Sequence, residues 1–256
     1  MHDFDLYTDM EKEAGILILM HEIKISLPFY KIAYAIFFTM MLSLVRGVIY
    51  SYEIGIASEP LMAILAAAFC ADTYTQEITS RRSEILRLYP MKKRISSIYK
   101  RMLIQELFLL SMAAIGYGLF YVFQNPVPME ATGSAKIEIH QFLIYFASAA
   151  VSLSFWGLLS NLLSCLFQNM WPGIGGCLML WLFANSSLGD RYLGPWNLFS
   201  YAFRSIENSD DVSWIYGKIV CILISALIIA AMPKIIQKRG AYYGNENRRF
   251  NCHFQK

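Results

Sequence analysis

The stretch Gln76–Met102, QEITSRRSEILRLYPMKKRISSIYKRM, decides how the rest of the chain is read, because it carries eight Lys or Arg residues in oily surroundings. Before it runs PLMAILAAAFCADTY (60–74), and after it LIQELFLLSMAAIGYGLFYVF (103–123). Apolar runs on both sides of a basic segment suggest a loop at a membrane surface, each crossing needing about 20 residues. The composition agrees. Of 256 residues, 56% are hydrophobic and 16% charged, against about 25% charged in an average soluble domain. A net charge of +3 makes no global basic field, so no nucleic-acid partner is expected, and the placement of charge carries the information.

Six apolar runs of roughly spanning length follow along the chain: Ile32–Tyr50, Ser58–Tyr74, Met102–Phe123, Phe142–Phe167, Trp171–Ser187 and Trp214–Ile236. They predict an all-α membrane protein with six transmembrane helices in a single domain, residues 1–256. Its parts are a cytoplasmic interfacial helix (1–31), the spans (32–236) and a basic cytoplasmic tail (237–256). The second run is short. Ser58-Glu59-Pro60 reads as its helix start, with an N-cap side chain and proline in the first turn, so the helix can continue inward past Tyr74. Gln168-Asn169 and Trp171-Pro172, a polar pair followed by a breaker, separate the fourth and fifth runs; a single bent helix there would leave five spans.

Lys and Arg counts orient the spans. The loop after the second run holds eight and the tail after the sixth holds five, with Lys234 just before it. The loop after the first run holds none, and those after the third and fifth together hold Lys136, Arg191, Arg204 and Lys218. Both termini and the basic loop are therefore expected in the cytoplasm of a bacterial cell. The opening MHDFDLYTDMEKEAG is acidic where a signal peptide needs positive charge. The next segment, ILILMHEIKISLPFYK (16–31), reads as an amphipathic helix on the membrane lipid surface. The tail PKIIQKRGAYYGNENRRFNCHFQK (233–256) has no apolar periodicity; anchoring to anionic lipid and disorder both fit it, disorder more simply.

Catalytic and metal-binding patterns do not emerge. Cys70, Cys165, Cys177, Cys221 and Cys252 include no Cys-x-x-Cys pair, and the four within runs read as small buried hydrophobes. His2, His21, His140 and His253 form no His-x-x-x-His pair, and no adjacent glutamates occur. There is no phosphate-binding G-x-x-x-x-G-K-[ST] loop, and Gly173-Ile174-Gly175-Gly176 reads as close helix packing. Polar residues within spans are costly and need a reason. Arg46 suits snorkelling to the outer interface or a substrate contact. Asp72 and Glu106 should pair with Arg or Lys near the cytoplasmic surface. Ser160, Asn161 and Ser164 either line a polar path or hydrogen-bond to a neighbouring helix.

The orientation rule explains the sign of charge in 76–102 but not its pattern. Ile85, Leu88 and Tyr89 fall at i, i+3, i+4 among Glu84, Leu86 and Arg87; Pro90 ends that turn, and Lys92-Lys93-Arg94 leads a second helix into the third span. A short amphipathic helix under a membrane can lie on lipid or dock on a soluble partner.

These residues resemble the type-two ATP-binding-cassette exporter permeases. That family has six spans, cytoplasmic termini and an amphipathic helix before span one. Its second loop reads as a glutamate, another seven residues on in a leucine-rich turn, a proline, basic residues and a lysine opening span three. Glu77, Glu84, Pro90, Lys92-Lys93-Arg94 and Lys100 stand at that spacing. Arg81-Arg82 stands where the family often has Gly-Thr. RYLGPWNLFSYAF (191–203) is similar to the family's aromatic, proline-containing segment before the last span, which forms short helices dipping in from outside.

The resemblance implies a coupling helix seated on a separate ABC ATPase subunit, contacted through Glu77, Arg81, Arg82, Glu84, Ile85, Leu86, Arg87, Leu88 and Pro90. The ATPase would hold ATP and Mg, and this chain no cofactor. A second copy or a sister permease would complete a path for which Arg46, Ser160, Asn161 and Ser164 are candidates. Gly194, Pro195, Trp196, Phe199 and Tyr201 would form the outer re-entrant segment. The cargo would be a peptide, antibiotic or lipid-like molecule. Two other classes stand beside this one. A membrane enzyme should show clustered carboxylates or histidines near one face; a non-transporting anchor or immunity protein could keep the same fold.

Overall fold

The computed structural model of the chain describes residues 20, 22–75, 91–128, 135–202 and 212–254, the last part of it, 238–254, as backbone. The long helices fall on the six apolar runs in order: α1 (Phe29–Val45), α2 (Glu53–Cys70), α3 (Met91–Gln124), α4 (Ala135–Phe167), α5 (Met170–Ala184) and, after a short helix α6 (Ser187–Leu193) and a 3-10 turn (Gly194–Trp196), α7 (Trp214–Phe254). Among the described residues there is no strand, only an isolated bridge between Tyr50 and Val127. Among the described residues four stretches are long and apolar enough to cross a membrane: Glu53–Cys70, Ile95–Gln124, Lys136–Phe167 and Trp214–Gln237. At 17 and 15 residues, α1 and α5 are shorter. They reach about 25 and 22 Å, short of the roughly 30 Å hydrocarbon layer.

The centre of the bundle is α4, which packs on α2, α3, α5 and α7. Small residues make this possible. A Cβ on Gly173 of α5 would collide with Ser164 Oγ and lie 2.8 Å from the Ser160 carbonyl oxygen, and one on Gly176 would lie 2.8 Å from Leu163 Cδ1, both on α4. The glycine cluster is thus a packing face, with Gly175 turned to open space. A Cβ on Gly157 of α4 would lie 3.1 Å from Cys70 Sγ of α2, and one on Gly116 of α3 would lie 2.9 Å from Thr39 Cγ2 of α1. Cys70, Cys165, Cys177 and Cys221 are buried thiols.

The fourth and fifth runs are separate helices. Gln168 takes a left-handed φ of 56°, Asn169 caps α5 by accepting from the Trp171 N–H (3.1 Å), and Pro172 sits in the first turn, where its missing N–H costs nothing. Gln124 seals the far end of α3 onto α1, donating to the carbonyls of Ser43 (2.6 Å) and Arg46 (2.7 Å) and accepting from the Val48 N–H (2.8 Å).

Three expectations are corrected. The start of α2 is Glu53, not Ser58, and Pro60 lies inside the helix. Glu53 sets the earlier start by reaching back to accept the N–H groups of Ile49 (2.9 Å) and Tyr50 (3.1 Å), while Ser58 Oγ bonds its own helix at the Ile54 carbonyl (2.7 Å). At the other end α2 stops at Cys70 in a turn over 71–74, short of Tyr74. The tail, for which disorder was the simpler expectation, continues α7 as helix to Phe254. Helix nucleation is the costly step; an apolar helix already formed extends into a polar tail by adding one hydrogen bond per residue. Of the amphipathic helix expected over 16–31, residues 22–26 are helical and end in a bend before Pro28, the N-cap of α1. The coupling-helix residues Glu77, Arg81, Arg82, Glu84, Ile85, Leu86, Arg87, Leu88 and Pro90 lie outside the described residues; α3 begins at the position after Pro90.

Candidate functional site

The most unusual chemistry in the bundle is a buried knot of charge that joins four elements. Glu59 comes from the middle of α2, Ser152 from α4, Lys218 from the first turns of α7, and a backbone carbonyl from Leu198, just after the 3-10 turn. Glu59 is 1% exposed and Lys218 4%. Lys218 Nζ donates to Glu59 Oε1, to Ser152 Oγ (2.7 Å) and to the Leu198 carbonyl (3.2 Å), which uses all three of its protons. Ser152 Oγ donates in turn to Glu59 Oε1 (2.5 Å), so the hydroxyl relays between acid and base. The second carboxylate oxygen, Glu59 Oε2, is buried without a hydrogen-bond partner, as is the hydroxyl of Ser148 one turn before Ser152.

Local sequence explains how the Leu198 carbonyl reaches the lysine. Gly217 precedes Lys218, and a Cβ there would collide with the Asn197 carbonyl oxygen and Ser200 Oγ; only a glycine lets the segment lie against α7. Asn197 then fixes the segment by donating to the Ala184 carbonyl (3.0 Å) and accepting from the Phe199 N–H (3.0 Å), and Ser200 donates to the Trp214 carbonyl (2.6 Å). Gly194, with φ of 50°, ends α6, and Pro195 opens the 3-10 turn, giving the expected bend between two short helical pieces. Phe199 stacks on Trp156 of α4 (5.4 Å, 9°), and Tyr201 meets Trp214 edge to face (5.4 Å, 77°); both are buried. Trp196 is 55% exposed, tilted against Tyr216.

The other ionic groups gather near the opposite ends of the helices. Lys31 of α1 donates to the Asp72 carboxylate and the Phe69 carbonyl (2.8 Å), with its ammonium 5.0 Å from the Phe69 ring. Arg101 Nε donates to Glu22 Oε2 (2.6 Å), whose other oxygen accepts from Ser97 (3.0 Å). Gln105 bridges Thr73 (2.7 Å) and the Ser26 carbonyl (3.1 Å). Asp72 thus pairs with a lysine as expected, Lys31 of α1. Glu106 does not: its contact is the Ser154 hydroxyl (3.2 Å), and no cation pairs with it among the described residues.

No family model, curated protein or solved structure matches the chain.

The sequence-derived path candidates do not converge. Arg46 is exposed at the end of α1. Ser160 donates to the Ala67 carbonyl of α2 (2.6 Å) and Asn161 Nδ2 to Met102 Sδ of α3 (2.9 Å), so these two hold helices together. Ser164 Oγ is buried without a partner beside Gly173. Sequence reasoning missed the Glu59–Lys218 knot, treating Glu59 as part of a helix start and Lys218 as a loop charge. The available signal was one acid and one base, each within a long apolar run, where an ionised group needs a partner. Chemically the knot is a fastening. An ammonium held by a carboxylate is no general base, and Ser152 is fully buried, so the Ser-Lys pair is unsuited to nucleophilic attack on a substrate.

Proposed function

We propose that the chain is the membrane-embedded permease subunit of a type-two ATP-binding-cassette exporter, moving a peptide, antibiotic or lipid-like molecule outward. Its six long helices cross the membrane, with both ends and the 76–102 loop on the cytoplasmic side. A separate ATPase binds ATP and Mg and drives it, and a second copy or a sister permease completes the path. The observation that supports this best is the helix, bend and 3-10 turn over 187–196, followed by a chain segment fastened onto the bundle directly before the last long helix. That is the arrangement the sequence resemblance implies for the outer side of such permeases. The shorter helices α1 and α5 reach across with the polar residues at their ends.

In this reading the coupling helix transmits ATPase closure to the bundle. The Glu59–Lys218 knot lies one to two turns in from the outer ends of α2 and α7 and holds the outer segment shut. Leu86 is the decisive residue. A charge at a buried interface anchor must be desolvated without a partner, at a cost of several kcal/mol. Leu86→Asp is expected to leave the chain inserted but to release the ATPase during co-purification, or to uncouple ATP hydrolysis from transport. Retention of the ATPase with full transport in both Leu86→Asp and Ile85→Asp would reduce the loop to a topogenic charge cluster. ATPase binding without any transport would favour the immunity or anchor class.

A further inference from the structure

The outward face of α3 changes character along its length. Near its start lie two exposed lysines, Lys93 and Lys100, seven residues apart and so about 10 Å along the same face, with exposed Ser96 between them. Next on that face come Leu103 and Leu107, both exposed. Ile95, Ser96, Tyr99, Lys100 and Leu103 line an open groove of about 440 Å³, and Tyr99 is held in place by its hydroxyl, which donates to the Ile229 carbonyl of α7 (2.7 Å). The inward-facing cations of the bundle, Lys31, Arg101 and Lys218, are each matched by an acid. Neither Lys93 nor Lys100 has an acidic partner among the described residues.

We propose that this groove binds an anionic phospholipid, its phosphate held between Lys93, Ser96 and Lys100 and an acyl chain laid along Leu103 and Leu107. The charge complementarity decides the occupant: two unmatched ammonium groups and a hydroxyl sit at the level where a membrane places headgroups, directly above an apolar track. The inference rests on the membrane reading of the chain and on the basic end of α3 lying at the cytoplasmic surface. It does not depend on an ATPase, so it is tested on the purified full chain alone, and its failure leaves the Leu86 experiment intact.

The test is native mass spectrometry of the chain in detergent, titrated with phosphatidylglycerol, phosphatidylcholine and inorganic phosphate. One phosphatidylglycerol should be retained per chain in preference to phosphatidylcholine, and phosphate alone should not stay bound. Losing one lysine should weaken binding about fivefold, so Lys93→Gln with Lys100→Gln should weaken it about 25-fold. The charge-preserving Lys93→Arg with Lys100→Arg should restore binding, and Lys136→Gln on α4 should leave it unchanged. Equal retention of phosphatidylglycerol by wild type and the Gln double variant would overturn the proposal, as would equal loss in Lys136→Gln. Binding of free phosphate as tight as that of the lipid would overturn the lipid assignment. A Gln double variant that turns a dimer into a monomer while keeping its lipid would assign the groove to a second copy.

Discussion

The two ends of the bundle hold their charges differently. In the Lys31–Asp72 and Arg101–Glu22 pairs the basic side chains are nearly covered, but the acids keep 16% and 18% of their side-chain surface open. In the Glu59–Lys218 pair the figures are 0% for the acid and 5% for the base, and one carboxylate oxygen has no hydrogen-bond partner. The first two pairs can share their cost with water. The third cannot, and it depends on each partner for the other's survival as an ion. This separates an ionic belt that tolerates losses from a joint between α2, α4, α7 and the segment 197–200 that does not.

The largest effect should therefore come from breaking the covered joint. Lys218→Met strands the Glu59 carboxylate and should destabilise the chain by about 3–5 kcal/mol. A clear fall in Tm of the purified chain in detergent would show it, and an unchanged Tm would mean the pair contributes nothing.

Parts of this contrast were legible in the sequence and parts were not. The long helices follow from apolar run length. The break between α4 and α5 follows from Gln168, Asn169 and Pro172, and the outer bend from Gly194-Pro195. Each is a local signal written in consecutive residues. Asp72 also announced its need for a cation, which Lys31 of α1 supplies. The joint was hidden because Glu59 and Lys218 are 159 residues apart, and nothing near either names the other. Pro60 added to the difficulty by imitating a first-turn proline, while Glu53 capped the helix earlier. The helical tail was missed because composition reports whether a segment can start a helix, not whether a neighbour extends one.

A second way to sharpen the contrast leaves the charges in place and moves the carbonyl. Gly217→Val puts side-chain atoms where the Asn197 carbonyl lies, and should cost about 2–3 kcal/mol while lifting the segment 197–200 off α7. A cysteine replacing Tyr201 should then react with a water-soluble thiol reagent several times faster than in the Gly217 background. Equal rates would mean the segment is held without this close approach.

The ionic belt should respond less. Asp72→Asn leaves Lys31 its bond to the Phe69 carbonyl, and the site keeps contact with solvent, so a loss of about 1–2 kcal/mol is expected by thermal denaturation. A loss as large as that for Lys218→Met would erase the distinction between the two ends. The smallest effect belongs to Arg46, exposed at the end of α1 and without an acidic partner among the described residues, where Arg46→Gln should change stability by less than about 0.5 kcal/mol.

The double-mutant cycle at the joint bears most directly on whether Glu59 and Lys218 act as one unit. Glu59→Leu and Lys218→Met should each destabilise strongly alone, because each leaves a buried ion without its counterion. Combined, they remove both ions, and the double variant should be more stable than either single one, with a coupling energy larger than either single loss of about 3–5 kcal/mol, measured by denaturation in detergent. Additive losses, with the double variant the least stable of the three, would contradict the joint.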